Sequence, residues 1–562
     1  MLNNIKSTFI LKKVLSLLKK RIKLKLVKYN KSLKDKLNIK LKEFQGYAVF
    51  NELQKNNCYF EPVDIKDIDI EELYVGKNDI YEINKILKYI KEIEFTELKI
   101  LNLDYNSFVD ITLLEKADMK KLNKLYLHCD GIKNINLLAN ETFKELFELQ
   151  LGGNNISNID ILDKVNFEKL LLLNLGGNEI SNINILEKVN FKELKELDLS
   201  FNKISEINSL GRADFKNLLK LNLENNEISD INILKEVNFK RLKILNLNWN
   251  KISDISVFEK TDFIDLKELD LCHNKISNID ILDKAIFKDL EILYLRLNQI
   301  EKLHISKNGI FNNLKELDLN TNEIYYIIIL DKLDFKKLQI LRLNFNKISD
   351  INIFIGFDFN ELKEMDLSFD QISDISVFEK VVIKNLQYLN LSVNRITDIS
   401  IFEKTDFNNL QYLNLSFNRI KDISVFDKTN FKNIQYLNLS SNQISNINVF
   451  ENANLVKLKV LNLSYNEISN LNILERIDFK KLEMLNLGNN KISDINILAK
   501  VNFKKLKELD LRVNQISDIS ALDIADFKEL KILYLYRNNI NEKKNFSLIN
   551  KLKLKLDLFI YK

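Results

Sequence analysis

The chain is nearly without proline, with Pro62 alone in 562 residues, and it holds only 11 glycines. An ordinary multidomain chain uses several times more of both, at roughly 5% and 7%, to build its turns and linkers. Something regular must turn this chain instead. Cysteine is as scarce: Cys58, Cys129 and Cys272 are odd in number, far apart, and without CxxC or Cys/His spacing. That pattern supports neither a disulfide framework nor a zinc site, and it leads to the expectation of a reducing, intracellular, cytoplasmic compartment. Histidine is limited to His128, His273 and His304, and the neighbours His128–Cys129 and Cys272–His273 lie six repeats apart with no third catalytic group. There is no Walker sequence and no glycine-rich nucleotide loop, so no catalysis, metal or cofactor is expected. No run of 18 uncharged apolar residues exists, and Lys12, Lys13, Lys19 and Lys20 interrupt the apolar start, so neither a membrane span nor a signal peptide is expected.

Charge is present but unevenly placed. Residues 1–42 carry 14 Lys+Arg and one acid, Asp35, a local +13. The whole chain is +5, so residues 43–562 carry 5 − 13 = −8. A basic head precedes an acidic body.

The regular device is a repeat. The pattern LxxLxLxxNxI places Asn at 106 and then recurs every 24 residues through Asn154, Asn178, Asn202, Asn226, Asn250, Asn274 and Asn418 to Asn538, with Asp at Asp130 and Asp370. An irregular first copy, IEELYVGKNDI with Asn78, makes 20. Leu at −5 and −3 from the Asn alternates with polar residues, the period of a half-buried strand. The return segment places apolar residues at +2, +5, +8 and +13, as in Ile420, Ile423, Phe426 and Phe431. Position +13 is Phe in 15 of the 17 copies from Phe143 to Phe527, which predicts an aromatic spine. The Asn amide both donates and accepts, so it is expected to satisfy backbone groups where the chain leaves the strand. Asp130 and Asp370 only accept when ionised and are expected to be weaker rungs.

This motif resembles that of leucine-rich-repeat proteins, over about residues 70–540. The resemblance implies an α/β solenoid, a horseshoe of about 20 repeats with a parallel β-sheet on its concave face. Residues 43–69 are expected to cap the N-terminus. Residues 541–562, where Leu552, Leu554, Leu556, Leu558 and Ile560 alternate, are expected to end the solenoid with a closing strand.

Positions −6, −4, −2 and −1 are expected on the concave face, where this family usually binds. They hold 14 acids and 7 bases, a balance of −7, which disfavours nucleic acid on the solenoid and favours a basic protein surface. Paired acids such as Glu316/Asp318 and Glu364/Asp366 are candidates for docking Lys or Arg, with solvated charge as the alternative. Aromatics gather in repeats 346–466: Phe345, Phe369, Phe417 and Tyr465 at −1, and Tyr388, Tyr412 and Tyr436 at −6, about a Ser row at −2. They are candidate interface anchors, with covering of neighbouring strands as the alternative. Gly152, Gly153, Gly176 and Gly177 leave a bare patch that would either admit a bulky group or reflect close backbone packing. Asn-x-Ser sequons at Asn390, Asn414, Asn438 and Asn462 lie on the same face, where the glycans of a secreted protein would obstruct it, which again favours an intracellular location.

The head segment ILKKVLSLLKKRIKLKLVKYNKSLKDKL reads as helical and resembles the F-box, which docks on the adaptor of cullin-based ubiquitin ligases; the usual Leu-Pro start is absent. A membrane-surface or targeting helix and a plain helical cap are the alternatives. The ISDIS element, as in Ile252–Ser256, also resembles repeats of the type-1 protein phosphatase regulator and of internalins. The expected function is thus a non-catalytic, monomeric protein-binding scaffold, with a ligase substrate adaptor or a phosphatase regulatory subunit as alternatives.

Overall fold

The structure is a computed structural model that describes residues 48–49, 71–74, 97–106, 111–117, 119–305, 313–329 and 335–561. The basic head and its F-box-like segment, the first ladder residue Asn78 and Pro62 fall outside the described residues. The chain divides into two compact units, Met1–Glu268 and Leu269–Lys562.

Both units follow one rule. In the first, three-residue strands from Glu72–Tyr74 through Ile100–Asn102 to Ile244–Asn246 pair in parallel, each in register with the next copy. In the second, strands from Ile292–Tyr294 to Ile532–Tyr534 do the same. Leucine at −5 and −3 points to one side and is fully buried, as at Leu149 and Leu151 or Leu413 and Leu415. The return segment packs beneath: Ile420, Ile423, Phe426 and Phe431 are each at most 2% exposed. The Phe column stacks as expected, with ring centroids 6.0 Å apart for Phe167–Phe191 and 6.3 Å for Phe407–Phe431. Ile383 and Leu455 are buried in the same column.

The turns that replace proline and glycine are now visible. The ISDIS element is an Asx turn: Asp254 Oδ1 accepts the Ser256 amide at 2.8 Å, and Asp422 does the same for Ser424. Each such turn opens a short 3-10 helix, Ser256–Glu259 and Ser424–Asp427. The ladder asparagines fix the other bend. Asn418 Nδ2 donates to the carbonyls of Leu391 (2.9 Å) and Leu415 (3.1 Å), while its Oδ1 accepts the Ile396 amide at 2.9 Å. Asn202 and Asn250 repeat this pattern.

Two segments depart from expectation. Residues 542–555 form a helix, not a strand; the closing strand is only Leu558–Ile560, paired with Ile532–Tyr534. Asn545, Ile549 and Leu552 share one buried helical stripe, and the Asn541 side chain caps the start by accepting the Lys544 amide. Leu554, which the alternation would bury, is 91% exposed. The second departure is a separate two-stranded parallel sheet, Lys302–Ile305 with Tyr326–Ile329, in the return segments of two successive repeats.

Candidate functional site

Parallel in-register pairing sets identical positions of successive repeats about 4.8 Å apart. Like residues therefore form columns. Tyr388, Tyr412 and Tyr436 occupy one column and stack face to face, with centroids 4.2 and 4.3 Å apart and planes within 11°. All three are half-buried, and burial together with the neighbouring tyrosines pushes the Tyr412 hydroxyl well above its usual range. Next to them run Asn390, Asn414, Asn438 and Asn462. The Asn438 amide donates to the Tyr436 hydroxyl at 3.4 Å.

The serine row is not an open track. Ser368, Ser392, Ser416, Ser440 and Ser464 are buried. Their amides turn back onto the strand, and three hydroxyls do too: the Ser392 Oγ donates to Asn390 Oδ1 at 2.8 Å, the Ser368 Oγ to Asp366 Oδ1 at 2.6 Å and the Ser464 Oγ to Asn462 Oδ1 at 2.8 Å.

Position −1 carries the exposed aromatics. Phe345 and Phe369 stack at 3.9 Å, and Phe417 and Tyr465 stand 59% and 55% exposed. Every residue of this column from Tyr105 to Arg537 has positive φ, between 49° and 67°, although only Gly153 and Gly177 are glycines. Bulky side chains are uncommon in this left-handed region. The same column in the first unit presents Tyr105, Phe201 and Trp249, each more than half exposed. Reading the column beyond repeats 346–466 would have found them.

The paired acids are already engaged by the chain. Arg342 bridges Glu316 (2.6 Å) and Glu364 (2.8 Å), linking three successive strands. Asp318 is buried, accepts the Asn320 amide, and its carboxyl is raised above the usual range by that burial. Asp366 accepts from Ser368 and from Asn390 Nδ2. The glycine patch is close packing: a Cβ at Gly153 would stand 2.5 Å from Cys129 Sγ, and one at Gly176 2.8 Å from Ser200 Oγ. His304 bonds Asp280 at 2.8 Å, His128 sits edge-on to Tyr105, and Cys272 is buried.

Family models described as leucine-rich repeats match residues 193–206, 241–258, 384–428, 408–452, 456–500 and 480–540. This is a leucine-rich-repeat protein. No curated protein matches the chain with significant similarity. Among solved structures it is similar to the ectodomain of the plant membrane receptor kinase GASSHO1/SCHENGEN3 from Arabidopsis thaliana, in complex with CASPARIAN STRIP INTEGRITY FACTOR 2, at 20% identity and a TM-score of 0.54. That match covers 85% of this chain and only 60% of the receptor ectodomain. The leucine-rich-repeat protein LIC12759 of Leptospira interrogans is 25% identical with a TM-score of 0.52, covering 82% of this chain and all of the other. An internalin of Listeria monocytogenes is 24% identical with a TM-score of 0.35, covering 70% and 88%.

The expected cytoplasmic location is corrected by the receptor structure, because the same architecture serves there as the ectodomain of a membrane receptor. The sequon argument also fails on geometry. Asn390, Asn414, Asn438 and Asn462 sit within strands, with Oδ1 accepting the backbone amide of the sequon serine, rather than on the exposed loops where glycans are added. No described helix is long and apolar enough to cross a membrane.

Proposed function

We propose that this leucine-rich-repeat protein is a non-catalytic scaffold that binds a protein partner on the open strand face of its second unit, across Tyr388–Tyr465. The observation that carries this reading is the −1 column. Phe345, Phe369, Phe417 and Tyr465 are both exposed and held in a left-handed backbone that glycine or asparagine adopts more readily. The turn itself belongs to the fold, since every copy has it, but small and polar residues such as Ser441 and Asn489 serve it equally, so an exposed aromatic is not what folding requires there, whereas rigid exposed aromatics are what interfaces use as anchors.

The chemistry of the face supports a polypeptide over a nucleic acid or a sugar. The inner faces of the tyrosine stack cover one another, so the row presents hydroxyls and ring edges and not a platform for stacking. From Tyr388 through Tyr465 the face positions carry no charge, and Tyr, Asn and Ser dominate, the composition of adaptable protein-binding surfaces. The acids around it act at longer range. Arg342 bridges Glu316 and Glu364 and offsets one of their two charges, so Glu316, Asp318, Glu364 and Asp366 act through their remaining negative field, steering a basic partner without clasping its side chains.

The test is quantitative capture of partners from the native cell by wild-type chain and by the Tyr388→Ala/Tyr412→Ala/Tyr436→Ala/Phe417→Ala variant, with circular dichroism to show that the variant folds. The reading requires that one or more partners fall at least about tenfold with the variant, as removal of a central aromatic cluster would give. An unchanged set of partners on a folded variant would overturn it.

A further inference from the structure

The ladder contains two residues that do not fit their place in ionised form. At each of the 17 asparagine rungs from Asn106 to Asn538, Nδ2 donates to the carbonyl of the leucine three residues earlier. In the regular repeats the leucine carbonyl accepts two such amides, as Leu391 does from Asn394 and Asn418. At rungs 130 and 370 the donor is missing. Asp370 Oδ1 takes the acceptor role, receiving the Ile348 amide at 2.9 Å, and Asp130 Oδ1 receives the Asn106 amide. The other oxygen of each, Oδ2, is buried without a hydrogen-bond partner among the described residues, at positions only 8% and 2% exposed. It occupies the branch that elsewhere holds the donating amide. A carboxylate there would set negative charge against the Leu343 and Leu367 carbonyls for Asp370, and against Leu103 and Leu127 for Asp130, with no proton between them.

We propose that Asp370 and Asp130 are proton-binding sites of the ladder, each holding a proton on Oδ2 at neutral pH and donating it to a leucine carbonyl as the asparagine amide does elsewhere. Loss of the proton then weakens the bend at that rung. For Asp370 the bend is the left-handed turn carrying Phe369, stacked on Phe345, so the proton also controls one edge of the partner face, a consequence that rests on the function proposed above.

The surroundings agree. Burial pushes both carboxyls up to about 8, with Asp366 adding to the rise at Asp370 and Asp104 at Asp130. The charges around Asp370 leave it uncompensated. Arg342 on the preceding strand is held between Glu316 and Glu364, Lys347 pairs with Glu323, and Tyr388 on the following strand is itself shifted upward. Around Asp130, Lys124 is paired with Glu148, and Tyr126 is raised by burial. An aspartate in the unfolded chain titrates near about 4. The folded state therefore binds more protons than the unfolded state between about 4 and about 8. The stabilisation is complete at the acid end, falls as pH rises through that window, and is gone above it.

The test compares full-length wild type with Asp370→Asn by hydrogen exchange of peptides spanning residues 343–372, from pH 6 to 9.5, corrected for intrinsic exchange. Asparagine is the ladder's own residue, so the variant is expected to fold. Protection in wild type should fall relative to the variant by at least about tenfold, one pKa unit of coupling, between pH 6 and about 8, and level off above that. Infrared spectra at pH 7 should show a protonated carboxyl band that weakens in Asp370→Asn/Asp130→Asn. A wild-type-to-variant ratio that is constant with pH, together with no loss of that band, would overturn the proposal. Loss of the pH effect with partner binding unchanged at all pH values would leave the proton sites standing and remove only their link to the partner face.

Discussion

Position −1 separates what the fold needs from what a partner needs. Phe417 is 59% exposed with φ 54°, so replacing it by glycine removes little buried surface and relieves a left-handed backbone worth about 1–2 kcal/mol. Phe417→Gly should leave stability within about 1 kcal/mol of wild type by urea denaturation, because glycine's unfolded-state entropy offsets part of the relief. Partner affinity should fall. Asn418 behaves in the opposite way, since its amide serves Leu391, Leu415 and Ile396 at once. Asn418→Ala should cost at least about 2 kcal/mol by leaving buried backbone groups unpaired. The roles of Asn418 and Phe431 were legible in the sequence, because a bifunctional amide and a large apolar ring are required at fixed spacing. The left-handed turn at −1 was not, because Phe, Tyr and Trp there give none of the glycine or asparagine signal that normally marks it. Arg342 was legible only as one base in a sum; its bridge to Glu316 and Glu364 depends on strand register, which converts separations of 26 and 22 residues into contact.

At the scale of elements, the tyrosine stack follows from strand pairing alone, since three identical residues one repeat apart meet at stacking distance. The C-terminal segment shows where periodicity misleads. Leu552, Leu554, Leu556 and Leu558 alternate as a strand would, yet Asn545, Ile549 and Leu552 satisfy a helical stripe, and the Asn541 cap favours the helix. Asn541→Ala should cost about 1 kcal/mol, seen as faster hydrogen exchange in the first turn of helix 542–555. Leu552→Lys should destabilise this end strongly, whereas Leu554→Lys at a 91% exposed position should not. The two-stranded sheet at 302–305 and 326–329 had no counterpart in the repeat reading, because those return segments depart from the ISDIS pattern that opens the 3-10 turns.

For the whole molecule, repeat number, period and fold class were legible because the same residues recur in each copy, and the fold itself is a sum of neighbour contacts. The compartment was not, because scarce cysteine and strand-borne sequons fit a leucine-rich-repeat ectodomain as well as a cytoplasmic protein. Whether the face across Tyr388–Tyr465 binds a partner is tested most directly by site-specific photo-crosslinking. A photoreactive phenylalanine is placed at Phe417 on the strand face or at exposed Lys432 on the return side, in the native cell. The account predicts that a protein partner is crosslinked from position 417 and lost when Tyr388, Tyr412 and Tyr436 are replaced by alanine, with no such product from position 432. The same partner crosslinking from 432 but not from 417 would contradict it.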